Sequence, residues 1–112
     1  MALSKSFEAV EPERKDIDSL TGPVLLEFGT PWCGHCQGAR PLLEAAFADH
    51  SAVHHIRVED GRGRRLGRTF RVKLWPTLVF LCDGQEKARL VRPDSVDAIR
   101  QALALIDQPG CP

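Results

Sequence analysis

One apolar run constrains the fold of this chain more than any other feature. Residues 23–29 are apolar apart from Glu27, and a strand is apolar on both sides when helices cover both faces of its sheet. A second run, residues 76–82, ends at Asp83-Gly84, the strongest hairpin signal in the chain. Between the runs, apolar residues recur at helical spacing. The order of elements predicts an α/β sandwich of three layers around a mixed sheet of four to five strands.

The other elements follow from the spacing of apolar side chains. We predict helices at residues 33–49, 62–70 and 93–106, and strands at residues 52–58 and 85–91. Pro41 should kink the first helix, because proline removes one backbone donor. Within the polar residues 1–22, Phe7, Ala9 and Val10 suggest a short edge strand, and Ile17 and Leu20 have helical spacing. Residues 107–112 read as a loose tail.

Length and charge limit the class of protein. A chain of 112 residues, 43% hydrophobic, fits a single domain over residues 1–112. Lys plus Arg (15) equals Asp plus Glu (15), so no net field favours nucleic acid or an anionic membrane. The longest apolar runs are far shorter than the roughly 20 residues that span a bilayer. We expect a monomer that binds neither nucleic acid nor membrane.

The first residues lack the apolar core of a secretory signal. We therefore expect a cytoplasmic protein, with a periplasmic location as the alternative if a signal has been removed. Four cysteines in a cytoplasmic chain indicate metal binding or redox catalysis rather than a structural disulfide framework.

Cys33 and Cys36 lie where the first apolar strand gives way to a helix. The first turn of a helix offers free backbone N–H groups and the positive end of its dipole, which stabilise a thiolate. Cys33, nearer the helix start, should be the nucleophile, and Cys36, one turn deeper, should resolve the mixed disulfide. The same spacing forms half of a zinc site. Zinc is the less favoured alternative, because the other candidate ligands form no second tight pair: Cys82, Cys111, His50, His54 and His55.

Glu27 is the one charged residue of the first apolar run. Burial disfavours an unpaired carboxylate, so this side chain should be able to hold or release a proton near neutral pH. That behaviour suits a proton acceptor for Cys36. The alternative is an ion pair with a buried Lys or Arg, although no such partner is obvious in the flanking strands.

Pro76 follows Trp75 at the start of the second apolar run. A cis peptide bond would explain a proline there and would expose the backbone of Trp75 to an extended substrate peptide. An ordinary proline that opens a strand is the equal alternative.

These motifs together resemble the thioredoxin superfamily over about residues 23–106. The matching residues are Leu26-Glu27-Phe28, Pro31-Trp32-Cys33-Gly34-His35-Cys36, Pro41, Trp75-Pro76-Thr77 and Asp83-Gly84. The resemblance implies that Cys33 attacks, Cys36 resolves, Glu27 is the buried acid and Pro76 is the cis-proline of a substrate groove lined by Trp32, Gly34 and Trp75.

Two details differ from a standard thioredoxin. Gly34-His35 resembles the catalytic domains of protein disulfide isomerase, and a histidine there can stabilise the Cys33 thiolate and raise the reduction potential. Gly29, Trp75 and Arg92 also depart from the family pattern. The groove should be bulkier and more charged than that of thioredoxin, which points to a dedicated partner.

We therefore expect an enzyme, a thiol–disulfide oxidoreductase that acts on disulfides of proteins or small molecules and is more oxidising than thioredoxin. No cofactor beyond the Cys33–Cys36 disulfide is implied. The chain lacks a Gly-rich nucleotide fingerprint, so electrons should come from a separate reductase or thiol pool. The alternative is a binding or assembly module whose redox pair is secondary.

The remaining polar residues favour structural roles. A run of basic residues should form the solvated face of a helix that buries Leu66 and Phe70: Arg62, Arg64, Arg65, Arg68, Arg71 and Lys73. Strand alternation should turn one of His54 and His55 inward. Cys82 should pack as a small apolar side chain, partly exposed at the hairpin, and Cys111 could pair with Cys82 or with another chain.

Overall fold

The computed structural model describes residues 3–111. Four strands form one sheet: β1 (Pro23–Gly29), β2 (His54–Glu59), β3 (Thr77–Cys82) and β4 (Gln85–Val91). Their order is β2-β1-β3-β4, with β1 parallel to β2 and every other pair antiparallel. The mixed sheet with helices on both faces confirms the predicted α/β class.

Four helices cover the sheet: α1 (Arg14–Asp18), α2 (Gly34–Phe47), α3 (Leu66–Thr69) and α4 (Val96–Ile106). One apolar cluster joins β1 and β3 to α2 and α4, and a second joins the opposite face to α1 and α3. Side chains alternate along a strand, so Leu25 lies under α2 and α4, whereas Leu26 and Phe28 face the other way. Glu27 shares the face of Leu25 and is therefore buried beneath α2.

The hairpin between β3 and β4 forms as predicted. Both turn residues have a positive φ, 50° at Asp83 and 79° at Gly84, which is the backbone of the type I′ turn that an Asp-Gly pair favours. The side chain of Asp83 also accepts a bond of 2.7 Å from the N–H of Gly22.

Two predicted helices were too long. The helix expected at residues 62–70 contains only Leu66–Thr69, because Gly61 and Gly63 adopt φ values of 125° and 81° that no helix accommodates. Leu66 and Phe70 are nevertheless buried, while the basic residues before Leu66 lie in a loop. The last helix begins at Val96 rather than Pro93, since Ser95 caps it by accepting a bond of 3.2 Å from the N–H of Ala98.

The two ends of the chain also differ from the predictions. Residues 7–10 form no strand, although the N–H of Glu8 donates to the carbonyl of Arg57 over 2.8 Å. Within the tail, Cys111 is not loose: it is buried in the cluster beneath α4. Cys82 is buried as well, rather than partly exposed, and its thiol donates to the carbonyl of Cys111 over 2.8 Å. Both thiols are free.

Across residues 3–111, no helix has the length and apolar character needed to cross a membrane.

Candidate active site

Cys33 is the residue that caps α2. Its backbone is extended, with φ −80° and ψ 118°, and its Sγ accepts a hydrogen bond of 3.1 Å from the N–H of Cys36. Its carbonyl accepts the first helical bond, from Gln37. A sulfur in this position receives a backbone donor and the positive end of a 14-residue helix, and both interactions stabilise its thiolate.

Cys36 lies one turn further along α2 and is 2% exposed. It packs directly on the backbone of Gly29, where an added Cβ would lie 2.5 Å from its Sγ. Burial, then a hydrogen bond to Cys33 and the charges of Cys33 and Glu27, raise the pKa of Cys36 to about 12, against the opposing effect of a backbone bond from Thr30. The two cysteines therefore differ chemically: the thiol of Cys36 holds its proton strongly, whereas Sγ of Cys33, itself only 7% exposed, receives a backbone donor at the start of α2.

Glu27 has two partners on β2, so the expectation that none existed was wrong. Its Oε1 lies 2.8 Å from Nε2 of His55 and 3.3 Å from Nε of Arg57. The other oxygen, Oε2, is buried and has no hydrogen-bond partner among residues 3–111. The alternative of an ion pair is thus the correct one, with a histidine added.

The register of β1 and β2 explains why sequence analysis missed these partners. Leu25 pairs with His55 and Glu27 with Arg57 in the parallel ladder, so both β2 side chains lie on the face beneath α2. Their spacing of two residues was visible in the sequence, but the register that brings them to Glu27 was not.

Hydrogen bonds at both ring nitrogens determine which nitrogen of His55 carries the proton. Nδ1 accepts from the N–H of Ser4 over 2.9 Å, so the proton of the neutral ring lies on Nε2 and is donated to Glu27. Burial, followed by the positive charges of Arg57 and Arg40, lowers the pKa of His55, although Glu27 opposes the shift. The histidine is a neutral donor to the carboxylate.

The N-terminal segment covers this buried group of side chains. Arg57 donates to the carbonyl of Lys5 over 3.1 Å, and its guanidinium lies 4.2 Å from the centre of the Phe7 ring. Arg40 of α2 donates to the carbonyl of Ser4 over 2.6 Å. Residues 4–7 therefore separate Glu27 and its partners from solvent at the β2 edge.

His35 is exposed on the first turn of α2. Its ring lines a cavity of about 530 Å³ together with Gly34 and Arg92. His35 follows Cys33 by two positions in the sequence, and its ring forms no hydrogen bond with a residue in the range 3–111. Any effect on the Cys33 thiolate therefore acts without a hydrogen bond in this conformation.

Trp32 and Trp75 form the aromatic side of the site. Their rings meet edge to face with centroids 5.6 Å apart, and Trp32 is 71% exposed. The indole N–H of Trp75 donates to Asp60 over 2.9 Å. Of the two alternatives for Pro76, the structure has the cis bond.

Metal ligands do not cluster in the described part of the chain. Within residues 3–111, no three His, Cys, Asp or Glu side chains lie close enough to hold a metal ion.

Comparison with known proteins gives one family. The Thioredoxin family model matches residues 8–105. The structure of thioredoxin 2 from Pseudomonas aeruginosa PAO1 in its reduced form has a TM-score of 0.83 and 54% identity, with 93% of this chain and 97% of that chain covered. A thioredoxin of Chlamydia pneumoniae is 33% identical over 84 residues, which cover 73% of this chain and 80% of the relative.

A plant isomerase matches a shorter stretch. Protein disulfide isomerase-like 1-4 of Arabidopsis thaliana is 38% identical over 66 residues, which are 57% of this chain but 11% of that protein. The chain thus spans about a tenth of the length of that relative and most of the length of the thioredoxins. Because the family model, the solved structure and the Cys33–Cys36 pair at the start of α2 all agree, the chain belongs to the thioredoxin family of thiol–disulfide oxidoreductases.

Proposed function

We propose that this chain exchanges disulfides with protein substrates, with Cys33 as the attacking thiolate and Cys36 as the resolving thiol. One observation carries the assignment of roles: the N–H of Cys36 donates to Sγ of Cys33 over 3.1 Å. This donor stabilises negative charge on the first sulfur, whereas burial raises the pKa of the second.

The first step forms a mixed disulfide. The Cys33 thiolate attacks one sulfur of the substrate disulfide, a bond forms between the two sulfurs, and the second substrate sulfur leaves as a thiolate. The edge-to-face pair of Trp32 and Trp75 offers an exposed aromatic surface to the substrate beside Cys33.

The second step releases the substrate. Cys36 must lose its proton before it can attack Sγ of Cys33, and a pKa of about 12 shows how strongly it holds that proton. Glu27 is the acceptor we assign, because its charge raises the pKa of Cys36 and its Oε2 forms no hydrogen bond within residues 3–111. The Cys36 thiolate then attacks Cys33, the pair becomes a disulfide, and the first substrate sulfur leaves as a thiolate.

Gly34-His35 makes the pair more oxidising than thioredoxin in this account. A positive or polarised ring on the first turn of α2 stabilises the Cys33 thiolate, which favours the dithiol over the disulfide. A separate reductase or thiol pool then supplies or removes electrons, and the Cys33–Cys36 disulfide is the only redox group required.

The equilibrium of the chain with a series of glutathione redox buffers tests this function. We expect one disulfide, between Cys33 and Cys36, with a potential between the thioredoxin value of about −270 mV and the isomerase value of about −180 mV. A potential below the thioredoxin value would refute the oxidising character. Failure of Cys33 and Cys36 to form a disulfide in any buffer would refute the function.

A further inference from the structure

Arg92 follows β4 and is held against the loop that carries Pro76. Its N–H donates to the carbonyl of Pro76 over 2.9 Å, and Nε of its side chain donates to the carbonyl of Trp75 over 2.9 Å. Its backbone has a φ of 49°, in the region where glycine is favoured. Two hydrogen bonds therefore fix the direction of an exposed guanidinium.

The rest of that guanidinium is available to a ligand. Arginine has five N–H donors in a planar fork, and only Nε has a partner among residues 3–111. The two terminal nitrogens of such a fork match the two oxygens of a carboxylate. Because the bond to Trp75 already orders the side chain, little conformational entropy is lost when a carboxylate binds.

Arg92 shares a cavity with the first turn of α2. It lines the cavity of about 530 Å³ whose other wall contains Gly34 and His35, the two residues that follow Cys33. Asp94 is the one acidic side chain in that lining, and within residues 3–111 it forms no ion pair with Arg92. A substrate side chain in this cavity would therefore lie against the two residues that follow Cys33.

Arg92 also changes which backbone groups a substrate can use. A peptide that pairs with Trp75 as an added strand needs its N–H and its carbonyl. The N–H has no acceptor among residues 3–111, but the carbonyl is already bonded to Arg92. Recognition should therefore depend less on backbone pairing and more on the charge that Arg92 presents.

We propose that Arg92 is a specificity-determining residue that selects peptide disulfides with an acidic residue next to the cysteine. The inference rests on the proposed function and names the substrate class of the same site. The carboxylate of the peptide binds the terminal nitrogens of Arg92, while Cys33 attacks the neighbouring disulfide.

Two matched peptide disulfides test this inference, one with Glu beside each cysteine and one with Gln at the same positions. The rate constant for their reduction by the pre-reduced chain is measured at low and high salt. We expect about tenfold faster reduction of the Glu peptide at low salt, since hydrogen bonds between charged groups are among the stronger ones in water. The preference should shrink at high salt.

The Arg92→Gly variant should fold, because glycine suits the positive φ at this position. It should reduce both peptides at the same rate, because the guanidinium is absent. Lys87→Gln, which removes one charge from the far end of β4, should keep the preference. Equal rates for the two peptides in the unaltered chain, or an unchanged preference in Arg92→Gly, would overturn the inference.

Hydroxyethyl disulfide, which has no carboxylate, separates this inference from the proposed function. The unaltered chain and Lys87→Gln should reduce it at similar rates. If the unaltered chain fails to reduce it, the proposed function and the inference both fall. If reduction is normal but the peptide preference is absent, only the inference falls.

Discussion

Nε2 of His55 lies 2.8 Å from Oε1 of Glu27, and neither side chain has any exposed surface. The bond requires a neutral ring with its proton on Nε2, because Nδ1 accepts from the backbone of Ser4. Arg57 supplies the positive charge near the carboxylate. The buried acid beneath α2 is therefore held by one neutral donor and one cation.

This relationship predicts how stability depends on pH. The pKa of His55 in the folded chain is lowered from 6.5 by burial, so the unfolded chain binds a proton at this residue before the folded chain does. The free energy of unfolding should fall as the pH drops from about 6.5 toward the lowered pKa. His55→Gln removes the titration and should flatten this part of the profile.

Urea unfolding between about pH 5 and pH 7.5 measures the effect. His54→Gln is the matched control, since His54 is the exposed neighbour on the same strand and its loss should leave the profile unchanged. A profile in which His55→Gln loses stability as steeply as the unaltered chain would contradict the assignment.

Gly29 is predicted to be necessary for the position of Cys36. A Cβ at residue 29 would lie 2.5 Å from Sγ of Cys36, so Gly29→Ala must displace the resolving thiol or the backbone of β1. We expect a loss of about 1–3 kcal/mol in the free energy of unfolding and slower decay of a mixed disulfide on Cys33.

Gly38→Ala is the control for this change. Gly38 lies within α2 with nothing within 4 Å of an added Cβ, so alanine there should add about 0.5–1 kcal/mol without affecting resolution. If Gly29→Ala matched Gly38→Ala in stability and in the decay of the mixed disulfide, the packing of Gly29 on Cys36 would not be needed for the resolving step.

The sequence predicted the fold where a local signal decided the structure. Three such predictions were confirmed, and each depends on neighbouring residues. They are the buried strand β1, the hairpin at Asp83-Gly84 and the start of a helix at the Cys33–Cys36 pair. The helix expected at residues 62–70 is shorter because Gly63, in its first turn, has a positive φ of 81°.

The partners of Glu27 and the contact of Arg92 with Trp75 could not be predicted from the sequence, for a different reason. Both depend on which residues of distant segments lie side by side, in the register of β1 with β2 and at the end of β4 beside Pro76. Cys111 was misjudged likewise, because the cluster beneath α4 that buries it is assembled from several elements. The periodicity of apolar residues within one segment does not determine which residues of a distant segment become its neighbours.

His35→Pro should lower the reduction potential. His35 is the second residue of α2, where the first turn tolerates proline, so the fold should be kept. Loss of the imidazole removes a ring that can stabilise the Cys33 thiolate and should shift the potential down by roughly 30 mV, toward the thioredoxin value.

The measurement is the glutathione equilibrium of both proteins at one pH, with His54→Gln as a variant that keeps the potential of the unaltered chain. An unchanged or higher potential in His35→Pro would show that another group sets the redox character, and the proposed likeness to the isomerase would have to be abandoned.

The central claim is that Cys33 attacks and Cys36 resolves, and trapping of the mixed disulfide tests it most directly. Cys36→Ser, Cys33→Ser and the unaltered chain are each mixed in reduced form with a peptide disulfide, quenched with acid and analysed by mass spectrometry. We predict a lasting adduct on Cys33 in Cys36→Ser and none in Cys33→Ser, because the buried thiol of Cys36, with a pKa of about 12, does not attack the substrate. An adduct on Cys36 in Cys33→Ser, or no adduct in a folded Cys36→Ser, would contradict the account.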